Sequence, residues 1–218
     1  MTRIPGEPTR VLAIRHGETA WNVDTRIQGQ LDIPLNETGQ RQARRLALAL
    51  AAEPISAIYA SDLWRAYETA QSIAAATGLE VIPDEGLRER EFGLFQGKTF
   101  AEIEAIWPEQ SLRWRKRDPA FAPEGGGESL LAFRERITRT AHHLAARHPG
   151  QQIVLVAHGG VLDVLYRAAT GQELQAPRTW QLGNAAINRL LWTPEGFTLV
   201  GWADTHHLDD ASIDETSA

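Results

Sequence analysis

Ile153-Val154-Leu155-Val156-Ala157 runs without interruption into His158-Gly159-Gly160. An aliphatic, β-branched run closed by a glycine pair reads as a buried strand that stops at a turn and hands over to a helix. The same grammar stands near the N-terminus, where Val11-Leu12-Ala13-Ile14 ends in Arg15-His16-Gly17. Working outward, Asn36 caps a helix from Glu37, with Ala43, Leu46, Ala47 and Leu50 on one face, and Pro54 lies beyond its end. Residues 55–60 are a second buried strand, followed by a helix that starts at Ser61-Asp62, runs to about Ala76 and closes at Gly78. A short third strand is expected at 79–82, whereas 87–92 is too charged for a central strand.

Thr99-Phe100-Ala101-Glu102 has the capping-box pattern. The stretch 94–128, with Trp107, Trp114 and Gly125-Gly126-Gly127, lacks strand patterning and is expected to be a small helical cap insertion. A long helix over 129–147 presents Leu130, Phe133, Ile137, Ala141 and Leu144 on one face. Runs at 186–192 and 197–202, separated by Thr-Pro-Glu-Gly, read as an antiparallel hairpin. The predicted fold is therefore α/β: a mostly parallel sheet with helices on both faces and an antiparallel edge, in a single domain over 1–218. No internal repeat is visible.

Composition narrows the function. The 218 residues carry 22 basic and 28 acidic side chains, a net charge of −6, which is the wrong sign for a dedicated nucleic-acid or anionic-membrane binder. With no cysteine, disulfides, thiol nucleophiles and thiolate metal sites are excluded together. No apolar run approaches the roughly 18 residues of a membrane span, and the opening MTRIPGEPTR is polar and does not read as a secretory signal. A soluble, cytoplasmic protein is expected. The sequence specifies no oligomeric state, and a dimer is compatible with it.

In a parallel sheet, ligands bind at the carboxyl ends of the strands. Three such ends carry basic groups: Arg15-His16, Arg65 in the helix after residues 55–60, and His158. Each alone has an ordinary structural reading, as a hydrogen-bonded histidine or a solvated arginine. Their convergence specifies an anion, and phosphate suits guanidinium forks and glycine-flanked backbone N–H groups best.

Arg15-His16-Gly17-Glu18-Thr19-Ala20-Trp21-Asn22 resembles the signature of the histidine phosphatase superfamily, which includes cofactor-dependent phosphoglycerate mutases. The likeness continues through Gln28-Gly29, Asp32-Ile33-Pro34-Leu35, Ser61-Asp62-Leu63-Trp64-Arg65-Ala66, Thr69-Ala70, Leu87-Arg88-Glu89 and Ala157-His158-Gly159-Gly160. The resemblance implies a phosphoglycerate mutase-like fold and His16 as the nucleophile that becomes phosphorylated. It places Arg15, Arg65 and His158 around the phosphoryl group and makes Glu89 the proton donor. Asn22 is a further phosphate contact by that resemblance, and Gln28, Gly29 and Gly159, whose backbone N–H an anion can approach closely, are the other expected substrate contacts. No metal and no cofactor is needed for such a transfer.

Other signals are set aside. Gly93-Leu94-Phe95-Gln96-Gly97-Lys98-Thr99 is one residue short of a P-loop and follows no strand. His142-His143 is expected on the solvated surface, and Arg113-Trp114-Arg115-Lys116-Arg117 on an exposed helix face. The seven tryptophans are expected to pack in the core and at its rim. The expected activity is hydrolysis of a small phosphorylated metabolite through phosphohistidine. Phosphoglycerate mutase-type transfer is the alternative, favoured less because the insertion is short and carries the phosphatase-like Gly127-Glu128-Ser129. A non-catalytic phospholigand-binding module is a third reading.

Overall fold

Residues 6–209 of the chain are described by a computed structural model. Side chains alternate across β1 (Thr9–Arg15), β2 (Ile55–Ala60) and β4 (Gln152–Ala157), and this alternation builds a separate core on each face of one sheet. On one face Val11, Ala13, Tyr59, Ile153 and Leu155 pack with α6 (Leu130–Ala146) and α7 (Gly159–Thr170). On the other, Leu12, Ile14, Ile58, Val154 and Val156 pack with α2 (Glu37–Leu50) and α3 (Trp64–Thr77). With β3 (Val81–Pro83), β5 (Ile187–Thr193) and β6 (Gly196–Asp204), the strand order is β3-β2-β4-β1-β5-β6. β1 to β4 pair in parallel, and β5 and β6 extend the sheet antiparallel.

This order creates the site. β1 and β4 are neighbours, yet the chain leaves β1 toward α2 on one face and leaves β4 toward α7 on the other. Adjacent strands whose connections diverge open a crevice at their carboxyl ends. The register pairs Arg15 with Ala157, and the His16 N–H donates to Ala157 O at 3.0 Å, so His16 and His158 emerge side by side. The stretch 94–128 contributes α4 (Phe100–Ile106) and α5 (Pro108–Arg115) around a third apolar cluster of Phe95, Ile103 and Phe121. Thr99 forms the expected capping box with Glu102. A one-turn helix, α1 (Ala20–Val23), follows the His16 loop.

Several local expectations are corrected. α3 starts at Trp64, later than Ser61-Asp62, because the Asp62 carboxylate takes a bidentate pair from Arg88 and the Trp64 N–H is capped by Asp32 Oδ1 at 2.6 Å. β3 lies at Val81–Pro83, shifted from 79–82 by its pairing with Ile58–Ala60. His142 is half-buried and its Nδ1 accepts the Trp192 Nε1–H at 2.9 Å. Its ring packs edge-on against Phe197, and burial lowers its pKa. Arg117 leaves the helix in a left-handed conformation (φ 53°) and bonds Asp163 and Leu174 O, so only part of that basic run is an exposed face.

The loop after β1 is pressed against the start of α2. A Cβ on Gly39 would stand 2.1 Å from Glu18 O, and one on Gly17 would stand 2.6 Å from Gly39 O. The obstacle is backbone and cannot swing aside. Alanine at a helical position gains about 1 kcal/mol over glycine, but overpacking costs about 1–3 kcal/mol, so the clash prevails. Gly39→Ala is expected to lower the urea midpoint, and an unchanged or raised midpoint would contradict this packing.

Candidate active site

The His16 ring is buried, and its Nδ1 lies 2.7 Å from Gly17 O. A carbonyl only accepts, so Nδ1 carries the proton and Nε2 is left with its lone pair. The His158 ring is fully buried at a centroid distance of 5.3 Å, and neither of its nitrogens has a protein partner. Burial first, and then the charges of Arg65 and Arg15, hold His16 well below the ordinary imidazole pKa. Burial, Arg65, His16 and Arg15 do the same to His158. Both rings are therefore neutral in the free protein, and the positive charge expected of His158 is supplied instead by the arginines.

Arg65 is 1% exposed. Its Nη1 and Nη2 donate to Leu31 O and Gly29 O at 2.8 and 2.7 Å, while Nε is buried without a partner. Burial pushes its pKa down to about 10, which leaves it charged at neutral pH. Arg15 donates through Nη1 to Leu182 O, and its Nε is also buried and unpartnered. Carbonyl anchors fix both guanidiniums without cancelling their charge. Two fixed cations, unpartnered N–H groups and a neutral base in one crevice fit the oxygens of a phosphoryl group.

A cavity of about 180 Å³ is lined by Arg15, His16, Asn22, Gln28, Gly29, Arg65, Glu89 and Gly159. With His158 against His16, it brings together the site residues expected from the sequence. Asn22 Oδ1 accepts from Thr19 N, Thr19 Oγ1 and Asn184 Nδ2, which leaves its own N–H groups for an anion. Gly29 contributes its carbonyl to Arg65, and Gln28 keeps a buried, unpartnered Oε1. Among the described residues no three His, Asp or Glu side chains are grouped to hold a metal ion.

Glu89 reaches the cavity by a tight route. Its Oε1 accepts from Arg90 N at 2.7 Å and its Oε2 from Gly160 N, in the first turn of α7, at 2.9 Å. A Cβ on Gly160 would stand 2.2 Å from Glu89 Oε1, so this approach requires glycine. The loop that carries Glu89 is clamped by Arg136 of α6, which donates to Gly86 O, Arg88 O and Glu89 O at 2.9–3.2 Å. Glu128 holds that guanidinium in a two-point pair at 2.7 and 2.9 Å.

Arg136, Glu128 and Asn184 are not found by sequence reasoning. Glu128 sits in the Gly-Glu-Ser segment, but its partner lies one helix away. Asn184 holds His16 O at 2.9 Å from a loop with no pattern of its own. Thr69, within the matched blocks, accepts from Gly17 N and donates to Arg65 O, joining the His16 loop to α3.

Comparison with known proteins agrees with this geometry. Residues 11–205 match the model of the histidine phosphatase superfamily, branch 1. The chain is 40% identical over 206 residues to phosphoglycerate mutase-like protein 4 of Arabidopsis thaliana, covering 93% of this chain and 88% of that one. It is 35% identical over 214 residues to the metal-independent phosphoserine phosphatase of the same plant, covering 97% and 88%. Among solved structures, mycobacterial glucosyl-3-phosphoglycerate phosphatase superposes with a TM-score of 0.81 at 36% identity, over 91% of this chain and 100% of that one. With the family match spanning nearly the whole described chain and its signature residues assembled around one cavity, this protein belongs to the histidine phosphatase superfamily.

Proposed function

We propose that the protein hydrolyses a small phosphomonoester in the cytoplasm, passing the phosphoryl group through His16. One observation carries the reading: the bond from His16 Nδ1–H to Gly17 O presents Nε2 as an unprotonated base between Arg15 and Arg65. In the first half-reaction the Nε2 lone pair attacks phosphorus, the ester P–O bond breaks, and the leaving oxygen takes a proton from Glu89. Arg15, Arg65, Asn22 and His158 hold the equatorial oxygens. In the second, water attacks phosphorus, the P–N bond breaks and Glu89 takes the proton from the water. Alcohol and inorganic phosphate leave, and His16 is neutral again. The clamp from Arg136 and Glu128 holds Glu89 in place for both steps.

Mutase-type transfer shares the first half-reaction and differs only in the acceptor. The likeness to a mutase-like relative favours testing it. Incubation with 3-phosphoglycerate and a bisphosphorylated primer separates the two: hydrolysis releases inorganic phosphate, whereas a mutase accumulates 2-phosphoglycerate.

His16→Ala is expected to lower turnover of p-nitrophenyl phosphate by on the order of 10⁴-fold or more, as loss of a nucleophile does, and to abolish acid-labile phosphate labelling. Labelling on another residue would contradict the assignment.

Glu89→Gln is expected to slow alkyl phosphates by about 10²–10⁴-fold, the usual effect of a lost general acid. The single-turnover burst from p-nitrophenyl phosphate is expected to suffer much less, because p-nitrophenolate leaves without a proton. Equal losses for both leaving groups would make Glu89 a shaping residue and not the acid.

Arg15 and Arg65 supply fixed charge where a metalloenzyme would place an ion, so extensive chelation is expected to leave the rate unchanged. A large loss restored by one divalent ion would contradict that assignment.

A further inference from the structure

Beyond Glu89 the phosphoryl cavity adjoins a second one of about 400 Å³, and Glu89 and Phe92 line both. On the reading above, Glu89 protonates the leaving oxygen, so the leaving group extends past its carboxylate into this second space. The volume falls within the about 300–1,000 Å³ of small-molecule sites. Its walls are aromatic: Phe92, Phe100 and Trp114 from one side and Phe133 of α6 from the other. Phe100 and Trp114 stack face to face, centroids 4.9 Å apart and planes within 6°, although Phe100 is 54% exposed.

Four arginines line the same space, and three are engaged. Arg90 donates to Glu128 O and Phe121 O, Arg115 pairs with Glu104 at 2.7 Å, and Arg117 binds Asp163 and Leu174 O. Asp163 is in turn shared between Arg117 and Arg167, so its charge is already answered. Arg178 has no hydrogen bond or ion pair with any described residue. It also lines the depression beside Arg15 and Gly159, and its charge adds to the burial that lowers the pKa of Arg15.

The loop carrying Arg178 is pinned. Trp180 stacks on Tyr166 at 4.0 Å with the Arg167 guanidinium 4.7 Å from its ring centroid, and Trp202 Nε1–H donates to Gln181 O at 2.8 Å. Leu182 O accepts from Arg15. Arg178 is exposed, and its charge, beside those of the other arginines, raises the local potential where it lines both the aromatic cavity and the depression next to Arg15.

We infer that this cavity binds the leaving group, that the substrate is an alkyl phosphomonoester with a flat apolar body and a second anionic group, and that Arg178 selects that second anion. The inference rests on the phosphatase reading. A three-carbon hydroxy acid would leave the aromatic walls uncovered, and an uncharged aryl alcohol would leave Arg178 unpaired.

Three phosphonates test this by calorimetry on the intact protein, whether or not the esters are turned over: the analogues of 3-phosphoglycerate, 3-phenylpropyl phosphate and 3-(4-carboxyphenyl)propyl phosphate. The carboxylated aryl compound is expected to bind about tenfold more tightly than either of the others. Arg178→Gln is expected to reduce its advantage over the plain aryl compound about tenfold, with Arg178→Lys retaining part of it. Trp114→Ala is expected to erode the advantage of the aryl compounds over the phosphoglycerate analogue. Tightest binding of the phosphoglycerate analogue, or an undiminished carboxylate preference in Arg178→Gln, would overturn the inference. His16-dependent release of p-nitrophenol reports separately on the chemistry: if it occurs without the preference, only the leaving-group site is wrong, and if it is absent, the phosphatase reading fails.

Discussion

The hydrogen bond from His16 Nδ1–H to the carbonyl of the next residue, Gly17, is the constraint on which the site depends. It fixes the tautomer with the proton on Nδ1 and leaves the Nε2 lone pair free at the crevice. The fold supplies the rest of the setting. Parallel pairing of β1 with β4 in the Arg15–Ala157 register brings His158 beside His16, and the divergence of the two connections leaves an opening above them. Close packing of Gly17 and Gly39 and the Thr69 hydroxyl then hold the loop to α2 and α3.

Burial has opposite consequences for the two kinds of basic group. For the imidazoles, desolvation and the neighbouring guanidiniums act in the same direction and keep the rings neutral, which is the state a nucleophile requires. The guanidiniums start so high that the same penalty leaves Arg65, near 10, fully charged. A lysine at Arg65 would have less margin and could not span Leu31 O and Gly29 O with a planar fork. Anchoring to carbonyls in place of carboxylates is what preserves the charge for a substrate.

Much of this was legible in the sequence because the information was local. A strand-end motif places its own residues, so Arg15, His16 and His158 followed from the aliphatic runs before them, and the helix face over 129–147 followed from its period. What stayed hidden depends on contacts distant in sequence. α3 starts late because Asp32 and Arg88 act on its first turn from elsewhere in the chain. Arg136 has the sequence context of a solvated helix charge, yet it holds three carbonyls of the Glu89 loop. His142 leaves the solvated surface because Trp192 donates to it from the hairpin. Such partners leave no periodic trace in a single sequence.

The proposed chemistry depends most directly on the state of one ring. Long-range ¹H–¹⁵N correlation spectra of histidine-labelled protein, recorded from pH 8 to pH 6 with His16→Ala for assignment, report which nitrogen of His16 carries the proton and whether the ring titrates. A neutral Nδ1–H tautomer is expected throughout, because burial and Arg65 hold the pKa well below 6.5. An Nε2–H tautomer, or a ring that becomes imidazolium near pH 6.5, would contradict it.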